Sequence, residues 1–415
     1  VCPLSIWNKL SGQDNWHKRE EAGYHFCHGA WISLEVKMVT LVVTKGIGSM
    51  DLYAERLGQR LDVPKIYTDI YQRVAKLFNI SWLSRDTPRA IREDWHFIRV
   101  LRKLDGIVHL PDQHLGRYGF FLKAPYIITV HDLIRYFDLK EQTIFIHRPN
   151  LRDRLYLSLD YKGIKKAAGI IAVSQATKHD LIHYLGIPEE HISVVYEGVD
   201  CQIFKPVKHR ILDYPYLLFV GSEHPRKNFT GLLKAFSQLK NGGRFKDLKL
   251  VKVGRAGGRE ADFREQTLQV VRELHLLDDV IFTDYVPEDD LPAYYSGASC
   301  LILPSFYEGF GFPPLEAMAC GCPAIVSNVT SLPEIVADAA IKVNPHDTDS
   351  ISNVLHEVLT NEHLKQGLVS KGFERAGQFS WEKTAEETLN VYKVVEQSLN
   401  PNLPLNVKIK AKKGI

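Results

Sequence analysis

Two successive series of short apolar runs, each run followed by an amphipathic stretch, constrain this chain more than any other feature. The first series holds "VTLVV" (39–43), "GIVHL" (106–110), "YIITVHD" (126–132), "GIIAVS" (169–174) and "ISVVYEG" (192–198). The second holds "YLLFVGS" (216–222), "LKLVKVG" (248–254), "VIFTDYV" (280–286), "CLILPS" (300–305) and "PAIVSN" (323–328). Between them lie helical patterns such as "MDLYAERLGQRL" (50–61), "SQATKHDLIHYL" (174–185) and "NFTGLLKAFSQL" (228–239). Near-continuous apolar strands alternating with helices are the signature of parallel sheets covered on both faces.

At 415 residues the chain is too long for one ordinary core. The expected fold is therefore α/β, with two Rossmann-like, doubly wound parallel-sheet domains. The polar, proline-bearing "CQIFKPVKHRILDYP" (201–215) divides the two series and reads as the linker, giving a first domain over 38–205 and a second over 206–380. Open parallel sheets bind ligands beyond the carboxyl ends of their strands, so the site is expected in the cleft between the domains. Residues 1–37 carry Trp7, Trp16 and Trp31 without periodicity and precede Met38, the first methionine; they read as a poorly ordered extension or mis-called start. The last segment, 399–415, reads as a basic tail.

Composition excludes several classes of partner. The chain is 45% apolar and 24% charged with a net charge of +3, which fits neither a disordered segment nor a dedicated nucleic-acid binder. No apolar run approaches the roughly 20 residues that cross a bilayer, and the opening residues read unlike a secretory signal. Six cysteines make no disulfide framework in so long a chain, and Cys320 and Cys322 form a lone C-x-C without further ligands for zinc. A cytoplasmic setting is the expectation. The stretch 71–104 mixes Arg and Lys with Trp and Phe, which fits either an ordinary sheet-packed helix or peripheral contact with the inner membrane face.

Four segments carry candidate chemistry. In "VGSEHPRKN", Arg226 and Lys227 stand before a helix, where free N–H groups, the helix dipole and two cations suit a diphosphate; a solvated basic loop fits equally. Asn228 is placed as the N-cap of that helix. In "FYEGFGFPPLEAMACGCP" (306–323), Pro313 and Pro314 suit a first helical turn, with Glu316 in that turn and Glu308 in the loop. Gly309 and Gly311 allow unusual backbone angles and close approach of a ligand, and the two carboxylates can accept hydrogen bonds from sugar or ribose hydroxyls. The bland alternative is a solvated Glu308 and dipole stabilisation by Glu316. In "TVHDL" (129–133), His131 ends a buried strand and can donate to a substrate oxygen or hold positive charge near phosphate. In "TKGIGSMDLYAERL" (44–57), Gly46 and Gly48 make a Gly-rich loop, but Asp51 occupies the place of a dinucleotide fingerprint's third glycine.

Taken together these residues resemble the retaining glycosyltransferases of family 4 (glycosyl transferases group 1), which have the GT-B fold. The resemblance runs from Val39 to about Gln397 and rests on E-x7-E in "EGFGFPPLE", with "AAGIIAVSQATKHDLI", "LGIPEEHISVVYEGVD", "PRKN", "VPEDDLPAYYSGA" and "FSWEKTAEETLNVY" in order. It implies a nucleotide-diphosphate-sugar donor on the second domain and a glycan, lipid-linked or small-molecule acceptor on the first. By position, Lys227 with Arg226 would hold the diphosphate, Glu316 the ribose hydroxyls and Glu308 the donor sugar. Phe310, Gly311 and Phe312 would present backbone N–H groups beside Gly309, and the base would lie near Tyr285 and Val286. His131 matches the active-site histidine of the family, Gly46 and Gly48 its Gly-rich loop, and a helix over 381–398 would cross back to the first domain. Neither a metal nor another cofactor is expected, and mannosyl transfer from GDP-mannose is the first expectation by similarity. Three positions depart from the common pattern: Ser222 stands where arginine often follows the strand glycine, Glu197 precedes "GVD" where asparagine is common, and Asp284 replaces a common glycine. A sugar-nucleotide epimerase and a non-catalytic nucleotide-sugar binder of the same architecture are the alternatives.

Overall fold

A computed structural model describes residues 39–46, 48–68, 95–209, 211–257 and 260–400. The expectations for 1–37, for nearly all of the basic tail and for most of 71–104 fall outside these residues. The first sheet contains β1 (Val39–Thr44), β2 (Lys65–Thr68), β3 (Ile107–Leu110), β4 (Tyr126–Val130), β5 (Gly169–Ala172) and β6 (Ile192–Val194). Its order is β2-β1-β3-β4-β5-β6 with every pair parallel. The second contains β7 (Tyr216–Val220), β8 (Lys249–Val253), β9 (Val280–Asp284), β10 (Cys300–Leu303), β11 (Ala324–Ser327) and β12 (Ile341–Val343), again all parallel, in the order β12-β11-β10-β7-β8-β9. This is the two-sheet α/β architecture that the sequence and the resemblance imply.

Why these segments form strands is visible in their burial. Leu41, Val42, Ile127, Ile128, Leu217, Leu218, Leu301, Ile302, Ile325 and Val326 are fully buried, as strands covered by helices on both faces must be. The strands not evident in the sequence are two of the four edge strands, β2 and β12, which are short and largely half-buried or exposed.

A helix over Trp381–Leu399 leaves the second domain and packs on the first. Its Ser380 cap accepts from Lys383 N, and Trp381, Ala385, Leu389, Tyr392 and Val395 recur at helical spacing on one face. That face joins Val39, Leu41, Tyr53, Ile127 and Ile171 in one core. Contact is close enough that a Cβ on Gly169 would lie 2.5 Å from Val395 Cγ2. The crossing is also tied by polar groups, because His109 lies 2.6 Å from the Tyr392 hydroxyl and 2.8 Å from Thr129 Oγ1, all buried.

Candidate active site

Strand order alone locates a crevice in each domain. In the second sheet the order reverses between β7 and β10, so the loops leaving those two strands diverge and open a gap between them. The loop after β7 brings Arg226 and Lys227 on a single 3-10 turn, Pro225–Lys227, and the loop after β10 brings Glu308. The side chains meet: Lys227 Nζ lies 2.6 Å from Glu308 Oε1 and Arg226 Nη1 lies 2.8 Å from Oε2. Ser305 Oγ donates to the same Oε1 at 2.7 Å.

Burial makes this cluster electrostatically strong. Glu308 and Lys227 are each only 7% exposed. Burial alone pushes the Glu308 carboxyl up, but the Lys227 and Arg226 charges and their hydrogen bonds outweigh it and bring it down to about 2. Burial lowers the Lys227 ammonium, with Glu308 opposing. Beside them are buried polar atoms without partners among the described residues: Arg226 Nε and both ring nitrogens of His224. Burial, then the neighbouring Arg226 and Lys227 charges, hold His224 down at about 3, so its imidazole is neutral. His224 is a member that the sequence reading passed over, although it stands two residues before Arg226.

The helix after β10 runs Phe312–Ala319 from Gly311, whose φ of +124° only glycine adopts readily. Pro313 and Pro314 sit in its first turn as expected. Glu316 does not: it is the fifth helical residue, beyond the reach of the free N–H groups, so it does not serve as a dipole partner there. Instead its Oε2 accepts from the Tyr295 hydroxyl at 2.5 Å, and burial pushes its carboxyl up to about 7. Asn228 also differs from expectation. It starts the helix Phe229–Asn241 with φ +53° but makes no side-chain cap; its amide donates to Pro304 O at 3.1 Å and Pro345 O at 2.7 Å, tying together the loops after β10 and β12.

In the first sheet the order reverses between β1 and β3. The loop after β1 carries Gly46 and Gly48, and here Asp51 explains the missing third glycine. Its carboxylate folds back under the loop, 3.4 Å from Gly48 N, and a Cβ on Gly46 would lie 1.9 Å from its Oδ2. Asp51 Oδ1 and, after β3, Asp112 Oδ2 are buried without partners among the described residues. His131 follows β4 in the same crevice. Both its nitrogens are engaged, Nδ1 with Glu197 Oε1 and Nε2 with Pro111 O, each at 2.9 Å. The free donor expected there is thus already bonded within the protein.

The two crevices face each other across a packed seam. Gly309 is where they touch: a Cβ there would lie 2.0 Å from His131 O and 2.9 Å from Asp132 Cβ. Its glycine is therefore required by the other domain's backbone as it approaches, a reason not evident in the sequence. The Gly309 carbonyl accepts from Ser174 Oγ at 2.7 Å. Tyr307 inserts into the first domain's core between Phe137 and Phe145. Glu334 receives Gln175 N at 3.0 Å and Ala176 N at 2.9 Å, placing a carboxylate on the start of the helix Gln175–Leu185. At the rim Arg56 Nη2 pairs with Glu288 Oε2 at 2.7 Å. Phe310 is buried against Tyr196 and Phe379, and Phe312 stacks on Trp381 at 6.2 Å.

At the far end, Tyr285 is 56% exposed with the Arg255 guanidinium 5.7 Å from its ring, and Val286 packs on the second core. Asp284 has φ +52°, which accounts for a common glycine at that position, and its Oδ1 lies 2.6 Å from Arg264 Nη2. Arg264 and the fully buried Lys252 both hold Glu223, at 2.9 Å and 3.0 Å, fixing the loop that starts with Ser222.

Comparison with known proteins identifies the family and the fold. The family model described as Glycosyltransferase Family 4 matches residues 49–203, and that described as Glycosyl transferases group 1 matches 202–375. The chain is 32% identical over 278 residues to O-antigen chain mannosyltransferase B of Escherichia coli, an alignment covering 65% of this chain and 70% of that one. It is 30% identical over 287 residues to the serotype-specific mannosyltransferase WbdA of Escherichia coli, covering 66% of this chain but only 34% of that longer protein. Among solved structures, sucrose-phosphate synthase from Thermosynechococcus elongatus superposes with a TM-score of 0.68 at 21% identity, covering 87% of this chain and 99% of that one. The chain belongs to the family 4, group 1 glycosyltransferases and has their GT-B fold.

Proposed function

We propose that this glycosyltransferase moves a mannosyl residue from GDP-mannose to a glycan or lipid-linked glycan acceptor, with retention at the anomeric carbon. The observation that carries the reading is the Glu308 carboxylate held between Lys227 and Arg226 at the switch point of the second sheet. The relatives named above as mannosyltransferases support the choice of sugar.

The chemistry follows from the charges. The bond from the anomeric carbon to the β-phosphate oxygen breaks, and its electron pair leaves with the nucleoside diphosphate. Lys227 and Arg226, with the spare Arg226 Nε donor, offset that charge in a water-poor site. Glu308 turns one oxygen to a donor-sugar hydroxyl as the phosphates take over its cations. Gly309, Phe310, Gly311 and Phe312 line that subsite with main-chain groups. Glu316 accepts from the ribose, and Tyr285 and Val286 flank the base. The acceptor hydroxyl enters from the side of Gly46 and Gly48, attacks on the leaving-group face and gives its proton to the departing phosphate. No step requires a metal or another cofactor, so EDTA should leave the rate unchanged, and rescue by Mn²⁺ would contradict this.

Among the described residues no helix is long and apolar enough to cross a membrane. For a lipid-linked acceptor we place the enzyme in the cytoplasm with peripheral contact at the inner membrane face. Leu151 and Leu155, one turn apart on the first domain and 87% and 59% exposed beside Arg152, support that contact. Flotation with anionic liposomes tests it; protein wholly in the soluble fraction contradicts it. For the activity, a thermal-shift screen of GDP-, UDP-, ADP- and dTDP-sugars should rank GDP-mannose first, with about 2.7 kcal/mol of stabilisation over the unliganded protein at a hundredfold excess over Kd. Mannose should then appear on acceptor in an α linkage by NMR. Conversion of the donor sugar without any acceptor would contradict transfer.

A further inference from the structure

His131 is an ionisable group whose surroundings decide its charge. Glu197, 2% exposed, lies 2.9 Å from Nδ1, and the Pro111 carbonyl lies 2.9 Å from Nε2. A carbonyl oxygen can only accept, so Nε2 carries a proton, and a carboxylate on the other side accepts a second. We propose that Glu197 is a positioning residue that fixes His131 as a doubly protonated imidazolium at the cleft end of β4, so that sugar transfer depends on a standing positive charge there. This rests on the glycosyl-transfer reading above and extends it to a residue for which that reading gave no role.

Every element packed around the ring bears on its charge. Glu197 comes from the chain after β6, and Asp112 from the loop after β3. His109, on β3, is neutral, its pKa lowered to about 3 by burial and by His131 itself. Tyr53, from the helix Ser49–Arg60, presents its ring at 4.9 Å edge-on, and Asp132 is the next residue. Burial opposes the charged ring, but the Glu197 bond and charge, the Asp112 charge and the Pro111 carbonyl outweigh it and push His131 up to about 9. Gly309 seals the main chain behind it at the seam. An imidazolium so held cannot take the acceptor's proton, which leaves that proton to the departing phosphate. Partly offset by Glu197, that charge would act with those of Arg226 and Lys227 on the negative leaving group. The same contact accounts for the departure at position 197, since an amide would bond the ring but not hold it charged.

The test is kcat/KM from pH 5.5 to 9.5 for wild type, Glu197→Gln and Glu197→Asp, with imidazole NMR of labelled histidine, the His131 signal assigned by its loss in His131→Asn. Wild type should lose activity only as pH rises through about 9, where the His131 ring gives up its proton. In Glu197→Gln the ring should return to an ordinary pKa of about 6.5 or below, lowering kcat/KM at least ~30-fold at pH 8 and little at pH 5.5. Glu197→Asp should restore the alkaline limb. Superimposable wild-type and Glu197→Gln profiles, or a wild-type His131 that titrates near 6.5, overturn the proposal. A Glu197→Gln protein that does not fold leaves the wild-type titration to decide it. Absence of any transfer by wild type would refute the functional reading alone, because the ring's titration is measured without substrate.

Discussion

Lys227 Nζ and Glu308 Oε1 are 2.6 Å apart, and they come from loops 81 residues apart in sequence that leave the two strands at which the second sheet reverses its order. Each group is buried, and their pairing, with Arg226 on the other carboxylate oxygen, offsets the cost of that burial. In the proposed reaction, a diphosphate arriving at this point would take Lys227 and Arg226 as partners and release Glu308 towards the sugar hydroxyls. The pair thus keeps both groups charged and oriented before substrate enters.

Lys227→Ala should therefore do two things together. Turnover should fall by about 10²–10³ through lost stabilisation of the leaving group. Unfolding free energy should fall by about 3–5 kcal/mol, because Glu308 is left buried without its nearest cation. Urea unfolding and single-turnover transfer measure the two; a stable, fully active variant would refute the assignment.

Glu316 gives a pH signature. Its folded-state carboxyl, near 7, lies above the ordinary carboxylate value, so between about pH 4.3 and 7 the folded state binds the extra proton. Stability contributed by the neutral group is present at low pH and lost as pH rises through that window. Glu316→Gln should remove this loss, making the variant more resistant to heat than wild type at pH 8 but not at pH 4. It should also bind nucleotide sugar roughly tenfold more weakly, through lost charge-assisted bonds to the ribose. Parallel pH-dependent melts and calorimetric titrations check both.

Gly309→Ala tests the seam. The added Cβ would meet main-chain atoms of His131, which cannot swing aside, so the cleft should be wedged open. We expect more than tenfold loss of transfer and a larger radius of gyration by solution scattering, with both sheets intact by circular dichroism. Wild-type activity in this variant would show that the closed contact is dispensable.

Tyr392→Phe removes the hydroxyl that meets His109 Nδ1 at 2.6 Å in the buried crossing between domains. The orphaned ring nitrogen should cost about 1–3 kcal/mol in chemical denaturation. No change in the denaturation midpoint would mean that the bond does not help hold the returning helix.

Sequence patterning revealed the strands that both faces cover and two of the four edge strands, β6 and β9, but missed the edges β2 and β12. The apolar runs of β4, β7 and β10 have no other use than a sheet interior, whereas "KIYT" and "IKV" lie at the rims, where pattern fades because one side needs no partner. The resemblance implies the diphosphate for Lys227 and the sugar for Glu308, but their direct pairing depends on strand order, which no local pattern shows. Glu197 stood out only as a departure from "NGVD", and nothing local says that it touches His131, 66 residues earlier. Gly309 looked like a ligand-side glycine because sequence carries no information about an opposing domain's backbone.

We propose that Lys227 and Arg226 receive the diphosphate of a guanosine-linked donor. Calorimetric titration of GDP, with UDP as comparator, into wild type and Lys227→Ala tests it most directly. Wild type should bind GDP more tightly than UDP, and Lys227→Ala should lose at least tenfold of that affinity, about 1.4 kcal/mol. Equal GDP binding by the two proteins would contradict it.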